Sequence, residues 1–383
     1  MKDKILLISN SSKSVLNFRG KLIDELIDNG LEVIVLLRES DGSQDIIEQL
    51  ILKGCIVDKL YLNRAGISVK DDIRTFLNIC KVIRRYKPKY IFGYTIKPII
   101  YGSLAAKLLG VKNIFPLITG LGYTFMHLDE KKISFTQRVI FLLYKIALAC
   151  SKKVFFQNED DAKLFENMNL VNKDKVLVVN GSGVDLSYFE YNDTILKQSN
   201  EQSTIKFLML GRIIKDKGIR EYVEAAHQLK IKYGEKIEFQ LAGGLDINPS
   251  AIQKSELDEW ISAGYINYLG KLSDVRPTLN NIHVFVLPSY REGTSRSILE
   301  AMSIGKPIVT TNVPGCRQLV ENKKNGFLVE ARSANSLIEG IEKVINMSCA
   351  ERLKMAKHSR NIVEDKYDVI KVNNFLLQKM DII

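Results

Sequence analysis

Residues 285–305 read FVLPSYREGTSRSILEAMSIG. The apolar run 283–287 predicts a buried strand that stops at Pro288. A short polar turn follows, carrying Glu292 and Gly293. Residues 295–304 then predict a helix, with Ile298, Leu299 and Met302 at helical spacing. A strand, a glycine-bearing loop and a helix in that order aim backbone N–H groups and the positive end of a helix dipole at one spot. Such a spot suits an anion, for example a diphosphate. Glu292 in the loop and Glu300, eight residues later in the helix, bracket it. A carboxylate repels phosphate but accepts strong hydrogen bonds from hydroxyls. A phosphate flanked by two sets of hydroxyls has the chemistry of a nucleotide sugar. Taken alone, the same pattern also describes an amphipathic surface helix with solvated glutamates, because such units recur in α/β proteins.

The neighbouring stretches narrow the choice. Residues 205–210 predict a strand running into Gly211-Arg212-Ile213-Ile214-Lys215-Asp216-Lys217-Gly218, followed by a helix over 219–233. Arg212 and Lys217 stand on either side of that turn, one a planar fork for phosphate oxygens and the other a point charge. Further strands are predicted at 239–242, ending in Gly243-Gly244, and at 266–270, 307–311 and 326–329. Ser273-Asp274 suits a helix N-cap, and a last helix spans 369–380.

The first half also alternates strand and helix. Strands are predicted at 4–9, 31–37, 90–93, 114–118, 154–158 and 176–180. Residues 10–18 read as a polar loop, and 19–29 as a helix ended by Gly30. This is the opening of a doubly wound sheet, whose ligands lie beyond the carboxyl ends of the strands. No G-x-G-x-x-G is present, which argues against a nicotinamide dinucleotide. Arg19, at the expected helix start, is either a phosphate contact or a solvated arginine. The loop 94–102 carries Lys97, a candidate phosphate ligand, before a helix over 103–109. The loop 119–123 carries Gly120 and Gly122, which allow close approach of backbone to ligand or simply build a turn. Residues 133–149, ISFTQRVIFLLYKIALA, predict a helix apolar on most sides with lysines near its end. It is either a core helix or one that dips into a membrane interface.

Composition sets the frame. The 383 residues suggest two domains, and 46% hydrophobic with 26% charged residues fits a globular chain. No run approaches the ~20 apolar residues of a membrane span, and the start MKDKILLISN reads as a first strand and not a signal peptide. Five scattered cysteines lack metal-site or redox spacing, so reduced thiols in the cytoplasm are expected. The net charge of +11 divides unevenly: residues 1–185 hold 28 Lys+Arg and 20 Asp+Glu, or +8, leaving +3 for the rest. A basic first half either attracts something anionic or is an ordinary basic surface. The polar stretch 187–204 is the expected domain linker.

The segments GRIIKDKG, LAGG, YLGKLSD, VLPSYREGTSRSILEAMSIGKPIV and PGCRQLVENKKNGFLV, in this order, resemble retaining glycosyltransferases of the GT-B fold, in the large family four of the sequence-based classification. The pair Glu292 and Glu300 fits that family's E-x7-E pattern. NFRGKLIDELIDNG, YTIKPIIYGSLAAKLLGVK and ITGLGYTF in the first half look like bacterial enzymes that extend undecaprenyl-diphosphate-linked glycans, such as the N-acetylgalactosaminyl transferases of protein glycosylation and capsule or O-antigen synthesis.

The resemblance implies two Rossmann-like domains facing a central cleft: an acceptor-binding domain over 1–186 and a nucleotide-sugar domain over 205–365, with residues 366–383 packing back on the first. It implies that Arg212 and Lys217 hold the donor diphosphate, that Glu292 lies near the sugar hydroxyls and that Glu300 lies on the ribose. Gly211, Gly243, Gly293, Thr294 and Ser295 complete the donor set, with Arg212, Lys217 and Glu292 the catalytic residues. Asn17, Arg19, Lys97, Gly120, Gly122 and Tyr123 form the acceptor set. Some relatives carry a histidine just before the lysine of the YTIKP-type segment; here that residue is Ile96, which removes a His-assisted role. No catalytic motif claims any of the four histidines, and only His127 is placed to reach the cleft.

The expected reaction moves a sugar from a UDP-sugar to a lipid-diphosphate-linked sugar with retention. No cofactor or metal is needed, because no D-x-D is present and the cations take the metal's place. The resemblance implies that the departing phosphate takes the acceptor's proton. The expected place is the cytoplasmic face of the cell membrane, attached peripherally. A UDP-sugar 2-epimerase on the same fold is the alternative within the fold. A basic nucleic-acid-binding protein is the alternative outside it, and no motif for nucleic acid is found.

Overall fold

The structure, a computed structural model, describes residues 2–38, 44–62, 68–122, 125, 133–200, 203–246 and 250–383. It divides into two compact units, Met1–Ser182 with Ile370–Ile383, and Gly183–Val369.

The first unit is built on a seven-stranded parallel sheet. Its strands are β1 (Lys4–Ile8), β2 (Glu32–Arg38), β3 (Ile56–Leu60), β4 (Tyr90–Tyr94), β5 (Asn113–Ile118), β6 (Val154–Phe156) and β7 (Val176–Val178). Their order is β3-β2-β1-β4-β5-β6-β7, so the winding reverses between β1 and β4. Side chains alternate across each strand. Ile5, Leu7, Val33 and Val35 therefore meet helices Ser12–Asp28 and Gln44–Leu52 on one face. Leu6, Ile8, Ile34 and Leu36 meet helix Val69–Tyr86 on the other. Helix Ile96–Leu108 packs between Val69–Tyr86 and Phe135–Ala149 on that second side. The final helix, Val369–Lys379, closes the first face: Leu376, Leu377 and Met380 are fully buried with Leu22 and Leu26.

Several expectations are corrected here. The segment 10–18 is not a loop: the first helix begins at Ser12. Ser12, Val15, Arg19, Leu22, Ile23 and Leu26 form its buried stripe, and the polar residues between them simply face outward. Arg19 is thus mid-helix and 1% exposed, not at a helix start and not solvated. The loop expected over 94–102 is also helical from Ile96. Pro98 sits in the first turn, where the missing N–H is not needed. Strand β3 and helix Gln44–Leu52 carried no assignment from sequence. Tyr123 and His127 lie outside the described residues.

The second unit holds a six-stranded parallel sheet of order β10-β9-β8-β11-β12-β13, made of β8 (Ile205–Leu210), β9 (Ile237–Ala242), β10 (Asn267–Tyr268), β11 (Val284–Leu287), β12 (Ile308–Thr311) and β13 (Gly326–Val329). Its winding reverses between β8 and β11, which pair through Val284↔Phe207 and Phe285↔Leu208. The stretch 187–204 is not a free linker but part of this unit. The backbone carbonyl of buried Phe189 accepts from Ser303 Oγ at 2.7 Å and Arg360 Nη1 at 3.1 Å. Leu196 is buried, and Ser199 Oγ lies 2.7 Å from His283 Nε2. Few apolar residues suffice to anchor this segment, so its composition reads as a linker although its packing does not.

The unit's first and last residues also pair. Val184 N donates to the Tyr367 carbonyl at 2.8 Å, and Val369 N to the Val184 carbonyl at 3.0 Å.

Candidate functional site

In the second unit the loops after β8 and β11 flank the point where the winding reverses, the place where open α/β sheets hold ligands. The first loop leaves β8 at Gly211, whose N–H donates to the Ala242 carbonyl at 3.0 Å. Gly243, beside it, donates to the Gly270 carbonyl at 2.8 Å. A 3-10 turn, Lys215–Lys217, leads to Gly218 at φ +75° and then to helix Ile219–Tyr233. A Cβ on Gly218 would lie 2.1 Å from the Pro288 carbonyl oxygen. Only glycine therefore lets the first loop lie against the second. Gly315, at φ +81°, supports the second loop in the same way: a Cβ there would lie 2.2 Å from the Glu292 carbonyl oxygen.

This packing brings together two groups 75 residues apart in sequence. Lys217 Nζ forms an ion pair with Glu292 Oε1, and both side chains are mostly buried. Ser289 Oγ donates to the same Oε1 at 2.8 Å. Arg212 lies in the same loop but pairs elsewhere, donating through Nη1 to Asp246 Oδ2 at 3.1 Å. Ser295 caps the helix Arg296–Ile304 by position, and its N–H donates to the Gly315 carbonyl at 3.0 Å. Gly293 and Thr294 precede it in the loop. Glu300 lies one turn into the helix. Burial holds its pKa above the ordinary carboxylate value, and the Arg296 guanidinium, 2.9 Å away, offsets only part of that rise. Arg296 Nη1 also donates to the Gly183 carbonyl.

Sequence reading missed Asp246, Ser289 and Arg296. Arg296 was legible in principle, since it stands four residues before Glu300 on one helix face. Asp246 belongs to no short motif and becomes visible only when the β9 loop is seen beside the β8 loop.

In the first unit the matching positions follow β1 and β4, where that sheet reverses. Thr95, directly after β4, adopts φ +72°, ψ 157°, a region essentially reserved for glycine. Its hydroxyl is buried and has no hydrogen-bond partner among the described residues. Strain of this kind costs of order 1–3 kcal/mol and collects at functional sites. Lys97 pairs with Asp72 at 2.8 Å. The Arg19 guanidinium lies 5.4 Å from the Tyr94 ring centroid and 6.0 Å from that of Phe92, a cation–π setting inside the domain. Asn17 is exposed on the same helix, two residues before it. Gly120 and Gly122 follow β5 with φ +132° and +64°. Among the described residues no three His, Cys, Asp or Glu side chains converge as metal ligands.

Residues 192–362 match the family model described as glycosyl transferases group 1, and residues 4–158 match glycosyl transferase 4-like. The chain is 30% identical over 380 residues to an N,N'-diacetylbacillosaminyl-diphospho-undecaprenol alpha-1,3-N-acetylgalactosaminyltransferase of Campylobacter jejuni, covering 95% of this chain and 97% of the relative. The chain belongs to the glycosyltransferases. This glycosyltransferase is also 25% identical over 359 residues to a UDP-Gal:alpha-D-GlcNAc-diphosphoundecaprenol alpha-1,3-galactosyltransferase of Escherichia coli, with coverage of 91% and 88%. Among solved structures it is similar to the Anabaena protein Alr3699/HepE in complex with UDP and glucose, with a TM-score of 0.77, 18% identity and full coverage of both chains. The enzyme therefore has the GT-B architecture expected from its sequence.

Proposed function

We propose that this enzyme moves a hexose or N-acetylhexosamine from a UDP-sugar to an undecaprenyl-diphosphate-linked saccharide, with retention at the anomeric carbon, in the synthesis of a bacterial surface polysaccharide or protein-linked glycan. Two full-length relatives named for lipid-diphosphate acceptors support the acceptor class.

The observation that carries the donor reading is the Lys217–Glu292 pair beside the helix that begins at Arg296. Breaking the donor's bond leaves negative charge on the diphosphate. Lys217, Arg212 and the helix N-terminus stabilise that charge in a site already organised for it. A bound donor takes over both partners of the pair: its phosphate replaces the carboxylate on Lys217, and its sugar hydroxyls replace the amine on Glu292. Arg212 likewise exchanges Asp246 for phosphate oxygens. Glu300, oriented by Arg296, accepts from the ribose hydroxyls. The acceptor's proton goes to the departing phosphate, so no side chain acts as base or nucleophile.

No metal takes part in this scheme, and the enzyme works from the inner face of the cell membrane. The test is UDP release from a panel of UDP-sugars, with and without a lipid-diphosphate-linked sugar, in the presence and absence of EDTA. The reading expects acceptor-dependent UDP release that EDTA does not change, and an α-anomer in the product by proton NMR. Isomerised UDP-sugar without acceptor would replace it with an epimerase, and a β-anomer would remove retention.

A further inference from the structure

The second unit holds a cavity apart from the donor seat. Its volume is about 600 Å³, and its wall is made by the segment that starts at Ser187, by Asp274, Arg276 and Asn280, and by Ile304. Ile304 is the last residue of helix Arg296–Ile304, whereas the donor loop leads into the first. A helix of 9 residues, rising 1.5 Å per residue, sets the two places about 12 Å apart. No residue of the donor set lines the cavity. Most of its wall comes from the stretch whose composition reads as a linker, and the proposed reaction makes no use of these side chains.

Two of its side chains hold each other rigid. The Arg276 guanidinium lies over the Tyr188 ring, 3.8 Å from the centroid. Asp274 grips one edge of that guanidinium, taking Nε on Oδ1 at 3.0 Å and Nη2 on Oδ2 at 2.7 Å. Nη1 has no acceptor among the described residues. Phe189 braces Tyr188 edge-on at 5.1 Å, yet Tyr188 stays 47% exposed, so part of its ring is open to a ligand. Asn280 Oδ1 is buried without a hydrogen-bond partner among the described residues, a costly state that a ligand's donor relieves. Behind the wall, fully buried Lys306 donates to the Asn192 and Asn280 carbonyls, each at 3.4 Å. The charges cancel: Arg276, Lys306 and Lys197 stand against Asp274, Asp193 and Glu190.

A balanced wall of this kind does not select an ion. It does not select a hydrocarbon either, because amides, hydroxyls and a guanidinium edge line it. It offers both donors and acceptors beside an aromatic ring, in a volume usual for small-ligand sites. A sugar answers each of these features: its hydroxyls donate and accept, and its C–H face packs on aromatic rings. We infer that this cavity binds a short neutral oligosaccharide. Tyr188 packs on a sugar ring, Arg276 Nη1 donates to a sugar oxygen, and Asn280 Oδ1 accepts from a hydroxyl. The site goes beyond the proposed reaction, since it holds a glycan without reacting with it, and it stands on its own lining.

The test is a ligand-observed NMR titration of the full chain with triacetylchitotriose and with α-1,3-galactobiose, each in the presence of saturating UDP. At least one probe should bind, with a Kd of about 1–10 mM. Tyr188→Ala should weaken that binding about tenfold or more. Thr194→Trp, on the exposed rim, should fill the cavity and weaken binding as much, with the thermal midpoint of the wild type. Lys217→Ala, which damages the donor seat, should bind the probe as the wild type does. Failure of both probes to bind overturns the inference. So does a folded Thr194→Trp protein that binds like wild type, loss of binding in Lys217→Ala, or displacement of the probe by inorganic phosphate. If a probe binds as expected but no UDP-sugar is turned over with a lipid-diphosphate-linked acceptor, the reaction reading falls and the saccharide site stands.

Discussion

The two units share one architecture and differ in what they show to solvent. Each is a parallel sheet that reverses once, and in each the segments after the two strands at the reversal carry candidate residues. The first has 196 residues and the second 187. Yet among the described residues, 16 of the 20 exposed large hydrophobic side chains belong to the first unit. The second spends its unusual features on an interior seat, where glycines press loops together and a lysine meets a glutamate. The first has unusual interior residues too, Arg19 and Thr95, but differs from the second in the apolar side chains on its outside. One scaffold thus supports a polar grip and an apolar surface, because parallel sheets take their cores from strand interiors and leave loops and outer helix faces free to vary.

The contrast is tested hardest in the grip. Arg212→Ala and Lys217→Ala should each cut kcat roughly 10²–10³-fold, the scale of losing one preorganised donor to developing charge. Initial rates, with thermal melting to confirm folding, check this; a well-folded Arg212→Ala enzyme with normal turnover breaks the assignment. The largest stability effect should come from Gly218→Ala. An alanine there combines the strained φ of +75° with a clash against the Pro288 carbonyl, a loss of roughly 3 kcal/mol. Denaturant titration measures it, and an unchanged midpoint would mean that the two loops are not locked together.

A pH effect also belongs to the second unit. Burial pushes the His283 pKa from 6.5 down to about 4, while Nδ1 accepts from Lys206 N and Nε2 meets Ser199 Oγ. The unfolded chain therefore binds the extra proton first as pH falls. His283 contributes fully above pH 6.5, and its contribution drains away between 6.5 and about 4, by roughly 3 kcal/mol in all. His283→Gln should flatten stability in that window relative to wild type, and parallel curves would refute the account.

Smaller effects sharpen the comparison. Glu300→Gln should raise the KM for donor about tenfold with little change in kcat, as expected for weakening a charged hydrogen bond to a bound group. A change confined to kcat would remove Glu300 from ribose binding. In the first unit, Thr95→Gly should stabilise by roughly 1 kcal/mol, because relief of the strained backbone exceeds glycine's entropic cost. A loss of stability there would show that the threonine side chain holds the turn.

Sequence reading reached the second unit more completely than the first, and the reason is physical. The β8 and β11 loops carry charge and glycine at fixed offsets between strongly apolar strands, so local pattern and tertiary role coincide. The strands over 205–210 and 326–329 were placed to the residue. Around β1 and β4 they do not coincide. The first helix hides its opening turns under serines and Asn17, with only Ser12 and Val15 turned inward. Thr95 adopts a conformation that no propensity favours. Helix Phe135–Ala149 left two readings open, and its two faces show why: one side is core and the other is not. Partner residues such as Asp246 and Asp72 were illegible because each meets its cation across a tertiary contact.

Leu376, Leu377 and Met380, sealed against Leu22 and Leu26, bear on how the polypeptide is made. A ribosome produces residues 1–182 early, but that portion cannot close its interior until residues 376–380 emerge, after every residue of the second unit. Domains usually mature in order of synthesis; here the earlier one must wait for the later. A gene truncated after Ser182 should yield an aggregating product, and co-expressing residues 370–383 as a fused tail should rescue it.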